Sequence, residues 1–124
     1  WMIDTMLTLE ETREQVEKWM KSDEQRPTAF LAYNESTAIT AVSVFREAGI
    51  RVPEDISIIS FNDTPLSILI EPPLTSINAH LEMMGKEAVR LLKERMEDTQ
   101  RIPYKVVLPL TLTERCSVSD YESI

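Results

Sequence analysis

Apolar positions along this chain switch between two spacings: the three-to-four-residue step of an amphipathic helix and the short unbroken run of a buried strand. Leu9, Val16, Trp19 and Met20 form a sparse stripe that predicts a helix over about 9–22, ended by Pro27. It opens on Thr8-Leu9-Glu10-Glu11, the pattern of a capping box, in which Glu11 reaches back to the chain at Thr8. Thr28 to Tyr33 is nearly all apolar and predicts a strand covered on both faces. Ala38, Ile39, Ala41, Val42, Phe45 and Ala48 then line most of a second helix over about 36–48, with Gly49 where a left-handed cap is expected. The proline turn Val52-Pro53-Glu54-Asp55 leads into a β-branched strand, Ile56 to Phe61. Pro65, Pro72 and Pro73 keep most of 64–74 irregular, and Thr75 to Asn78 reads as a short extended piece. A third helix over about 80–97 carries Leu81, Met84, Ala88, Leu92 and Met96 on one face, and its polar side holds Glu82 four residues before Lys86. Tyr104 to Arg115 reads as two short strands broken at Pro109. The alternation of helix and strand over short links predicts an α/β fold: an open, mostly parallel sheet with right-handed crossovers and flanking helices.

Composition adds limits rather than detail. A chain of 124 residues with 43% apolar and 27% charged residues is long enough for one packed core. No apolar run approaches the roughly 18 residues of a membrane span, and no basic-then-apolar leader pattern opens the chain. Trp1-Met2-Ile3 is an apolar start, which reads as a cut through a larger protein or a processed end. The single cysteine, Cys116, has no internal partner for a disulfide, which fits a reducing, cytoplasmic setting. The net charge of -8 is spread along the chain with no basic segment, so these residues are expected to repel nucleic acid rather than grip it, and a neutral ligand suits them better than an anion.

Asn34 and Asn62 each follow an apolar strand directly, so both are expected at the carboxyl edge of one parallel sheet, where open α/β sheets place ligands. A side-chain amide offers two donors and an acceptor with two lone pairs, which suits a sugar hydroxyl. The alternative stands beside it: Asn34 caps the following helix and Asn62 serves a turn. Asp63, ahead of Thr64-Pro65, reads equally as a brace for its own loop, and Glu35 as a first-turn acid favoured by the helix dipole. His80, the only histidine, has no second histidine or cysteine near it in sequence and makes a poor metal or acid–base centre. No Gly-rich phosphate loop and no nucleophile elbow is present, so no metal, cofactor or enzyme activity is expected.

Several segments form one ordered series: Pro27-Thr28-Ala29-Phe30-Leu31-Ala32-Tyr33-Asn34-Glu35, Arg46 to Ser57 with Gly49 and Val52-Pro53-Glu54-Asp55-Ile56, and Ser60-Phe61-Asn62-Asp63. Pro72-Pro73-Leu74-Thr75-Ser76-Ile77, Met84-Gly85-Lys86-Glu87-Ala88-Val89 and Leu112-Thr113-Glu114-Arg115-Cys116-Ser117 complete it. In order and spacing, over about 27–118, it resembles the C-terminal part of bacterial transcriptional regulators of the lactose-repressor/galactose-repressor family. The family commonly has Asp at 35 and 62 and Gly at 60, where this chain has Glu35, Asn62 and Ser60.

The resemblance implies a periplasmic-binding-protein-like effector domain, in which two α/β subdomains clamp a small molecule, usually a sugar. It implies ligand contacts at Asn34, Asn62, Asp63, Asn78 and His80, with Ala79 leaving the hinge without a polar side chain. The whole of 1–124 is then expected to be the C-terminal portion of such a domain, lacking most of the other subdomain. Operator DNA would be reached only through a missing N-terminal head, as part of a cytoplasmic dimer. The helix at 36–48 and the apolar loop Leu66 to Ile70 are the candidate dimer surfaces, with ordinary packing inside the domain as the alternative for both, and the unpartnered face of the third helix predicts a self-associated fragment, helix exchange being one form of it. Ser60-Phe61-Asn62-Asp63-Thr64-Pro65 looks most like regulators of galactoside use. The rival reading on the same fold is a periplasmic sugar-binding transport protein.

Overall fold

The structure is a computed structural model that describes residues 8–22 and 27–120; the apolar start at Trp1-Met2-Ile3 lies outside the described residues. Its elements follow in the order α1 (Leu9–Met20), β1 (Ala29–Leu31), α2 (Glu35–Glu47), β2 (Ser57–Phe61), a single 3-10 turn (Pro65–Ile68), β3 (Thr75–Asn78), α3 (Leu81–Glu97) and β4 (Thr111–Thr113). The strands form one sheet in the order β1-β2-β3-β4; β1 and β3 run parallel to β2, and β4 is antiparallel to β3. The predicted open, mostly parallel α/β sheet is therefore present.

Local chemistry accounts for the element ends. The Thr8 hydroxyl accepts from the Glu11 N–H at 3.2 Å and donates to Glu11 Oε2 at 2.9 Å, so Glu11 closes the cap on the side chain rather than on the backbone. α2 ends at Glu47, with Gly49 at φ 75°, the left-handed position that a side chain would strain. The core is one cluster between α1, α2 and the sheet, centred on Phe45, Ile58, Val16 and Leu74. Trp19 and Phe30 meet the Phe45 ring edge-on, with centroids 6.3 and 5.9 Å away. Arg13 ties α1 to α2 through two hydrogen bonds to the Glu47 carboxylate, at 2.7 and 2.9 Å.

Three expectations need correction. β1 is shorter than the 28–33 run and is not covered on both faces, since Leu31 is 68% exposed; among the described residues no strand pairs on its far side. Residues 104–110 form no strand; only Thr111–Thr113 beyond Pro109 pairs with β3. The helix expected from 80 begins at Leu81, because His80 is left-handed at φ 50°. α3 buries none of its residues, leaving Met84, Leu92 and Met96 on an open face. α2, by contrast, is buried on most of its circumference beneath α1 and against the sheet. Of the two surfaces proposed for dimerisation, the loop around Leu66, Ile68 and Leu69 is the openly apolar one.

Candidate functional site

β2 and β3 end side by side, with Phe61 opposite Ile77, and the chain leaves β2 directly into Asn62 and Asp63. Both are left-handed, at φ 96° and φ 56°. Two successive non-glycine residues in that region cost about 1–2 kcal/mol each, though Asn and Asp tolerate it best. The Asn62 N–H donates to Ile77 O at 2.8 Å, which extends the sheet by one bond. Asn62, Asp63, Thr64, Asn78, His80 and Lys86 line an open cleft of about 590 Å³ there.

Asp63 organises the cleft floor. Its Oδ2 accepts from the Thr113 hydroxyl at 2.7 Å and from the Asn78 amide at 3.1 Å. Its Oδ1 meets Arg115 Nη2 at 2.7 Å as an ion pair without an aligned N–H. Burial alone would raise this carboxyl, but the Thr113 hydroxyl, the Arg115 guanidinium and the Asn78 amide outweigh it and hold it below the ordinary 3.8. Asn78, oriented by Asp63, accepts from the His80 N–H at 2.7 Å through Oδ1. His80 Nε2 pairs with the Thr111 hydroxyl at 3.1 Å, tying the start of α3 to β4.

Four of the five residues singled out from the sequence, Asn62, Asp63, Asn78 and His80, thus meet in one cleft. Asn34 does not line it. Its Oδ1 accepts from the Thr37 N–H at 2.9 Å and caps α2, the plainer of its two readings. It sits at the same sheet edge, because its neighbour Glu35 reaches the cleft wall at Thr64. Sequence reasoning missed Arg115 and Thr113 as partners of Asp63, and it read Glu35 only as a dipole acid. No spacing rule signals contacts between residues that far apart in sequence.

The wall offers amides, hydroxyls and one imidazole. Its only full charges are Asp63, bound to Arg115, and Glu82 paired with Lys86 at 2.5 Å. Among the described residues, no group of three His, Cys, Asp or Glu side chains could hold a metal ion. Such a surface has the hydrogen-bonding groups that suit a neutral, hydroxyl-rich molecule.

Known proteins agree with that class. The family model for a periplasmic binding protein-like domain matches residues 3–118. The HTH-type transcriptional regulator GalR of Streptococcus thermophilus is 38% identical over 110 residues, which cover 89% of this chain and 33% of GalR. The transcriptional regulator CelR in complex with cellobiose superimposes with a TM-score of 0.82 at 29% identity, over 91% of this chain and 34% of that one. A LacI family regulator of Enterococcus faecalis with bound ribose gives 0.84 at 28% identity, over 94% and 42%. The chain belongs to the periplasmic binding protein-like family and, within it, to the effector-binding domains of lactose-repressor/galactose-repressor regulators. It spans about a third of the length of the GalR relative.

Proposed function

We propose that residues 1–124 are the C-terminal portion of a sugar-responsive transcriptional regulator and supply one wall of its effector cleft. The observation that carries this is the convergence of Asn62, Asn78 and His80 on one cleft whose charged side chains are paired, at the carboxyl edge of a parallel sheet. Asn62 presents a side-chain amide to a sugar hydroxyl, and Asp63 acts by fixing Asn78 rather than by touching the ligand. Asn34 contributes from the same edge through the α2 cap. Bound cellobiose and ribose in the two structural relatives support a carbohydrate, and the loop sequence leans toward a galactoside.

The other subdomain supplies the opposite wall, and closure on the sugar favours one arrangement of the two. In a cytoplasmic dimer formed through the Leu66 to Ile70 loop, that arrangement sets the spacing of operator-binding heads, which lie outside these residues. The regulator relatives favour this reading over a transport protein of the same fold. No helix of the described residues is long and apolar enough to cross a membrane. A thermal-shift screen of galactose, galactosides, ribose and cellobiose on the full-length polypeptide tests it. A sugar should raise Tm in proportion to the logarithm of its concentration, and no shift with any sugar would sink the reading.

A further inference from the structure

Glu35 is 2% exposed, an unusual position for a carboxylate that pairs with no cation among the described residues, and three donors converge on its Oε1. These are the Thr64 N–H at 3.2 Å, the Ser67 hydroxyl at 3.2 Å and the Ser76 hydroxyl at 3.3 Å. Ser76 Oγ in turn accepts from the Asp63 N–H at 3.1 Å. One oxygen therefore holds the two amides that follow Asn62, one directly and one through Ser76. Those amides belong to the stretch in which Asn62 and Asp63 adopt left-handed backbone, costly even for the two residue types that tolerate it best.

From this we infer that Glu35 is the positioning residue of the cleft: it clamps the 62–67 turn to the start of α2 and so aims the Asn62 side chain. The reach matters because one oxygen at the start of α2 meets the turn at Thr64 and Ser67 and β3 at Ser76, with Ser67 and Ser76 both fully buried. A shorter acid in its place would have one methylene less with which to meet all three donors. Glu35 touches no ligand; it acts through Thr64, Ser76 and Asp63. The clamp rests on geometry alone, and only its effect on affinity rests on the proposed sugar site.

The test is amide hydrogen exchange by NMR on the 124-residue chain, comparing Glu35→Ala and Glu35→Gln with the unaltered protein. Glu35→Ala should speed exchange of the Asp63 and Thr64 amides by about tenfold, with a smaller increase in Glu35→Gln, while Val42 and Ile58 in the core keep their rates. A uniform speeding of all amides in both variants, or no change at Asp63 and Thr64, would overturn the clamp; if the alanine variant does not fold, the glutamine variant decides. In the full-length polypeptide the same substitutions should raise the Kd of the sugar found by the screen by about tenfold, at a fall in Tm of only a few degrees. An unchanged Kd beside altered exchange would overturn the aiming of Asn62. Absence of any sugar binding by the unaltered protein would sink the functional reading, and the exchange result would still decide the clamp.

Discussion

Arg115 lies 2.7 Å from Asp63, across a gap of more than fifty residues, and the pair ties the end of the segment after β4 to the turn that carries Asn62. The carboxylate is 8% and the guanidinium 19% exposed, and a second guanidinium nitrogen donates to Leu74 O at 2.7 Å. Removing one partner leaves the other poorly solvated. Arg115→Ala should therefore destabilise the chain by about 3 kcal/mol, measured by urea unfolding.

The same pair sets an acid limb. The folded-state pKa of Asp63 is depressed, so its contribution is fully present above the ordinary 3.8 and is lost as pH falls from there through the folded value. Midpoints of thermal unfolding between pH 6 and pH 2 should drop more steeply for the unaltered protein than for Asp63→Asn, which lacks the titrating group. Parallel curves would contradict the assignment.

Asn62 separates stability from binding. Glycine adopts φ 96° freely, so Asn62→Gly should relieve backbone strain and stabilise the chain by about 1 kcal/mol. The same change deletes the amide that faces the cleft. A higher Tm together with lost sugar affinity in the full-length polypeptide is the expected result.

Ser60 is fully buried, and its hydroxyl has no hydrogen-bond partner among the described residues. Burying an unpaired hydroxyl costs about 1–3 kcal/mol. Ser60→Ala should thus be neutral or stabilising by up to about 1 kcal/mol, whereas Ser76→Ala, which removes a donor to Glu35, should destabilise. Thermal melts of the two single variants, side by side, check the contrast.

The open face of α3, with Met84 48%, Leu92 61% and Met96 74% exposed, predicts self-association of the isolated chain. Sedimentation equilibrium should give a mass above that of one chain, and Leu92→Glu should return it to a monomer. A monomeric unaltered chain would contradict the expectation of an exchanged or paired α3.

Much of this was legible in the sequence because it is local. Helix faces, the Gly49 cap and the strand running into Asn62-Asp63 all follow from residues within one or two turns of each other. Asn78 and His80 entered through a resemblance of motifs, and the cleft then brought them beside Asn62. What stayed hidden is long-range. Glu35 meets Ser76 and Asp63 meets Arg115 only because the sheet brings distant segments together, β4 returning antiparallel beside β3, and no periodicity encodes that meeting. β1 misled because an apolar run does not say whether anything packs on its second face, and Leu31 lies open there. At 104–110 the sequence alternates, yet Tyr104 bonds back to Arg90 and Glu94 on α3, and the chain pairs with β3 only from Thr111.

The most direct test of the account is a calorimetric titration of the full-length polypeptide with the sugar found by the thermal screen, repeated on Asn62→Ala. Saturable binding that weakens about tenfold or more in the variant is the predicted result. Binding of equal strength in both proteins, or none in either, would contradict a sugar cleft built on Asn62.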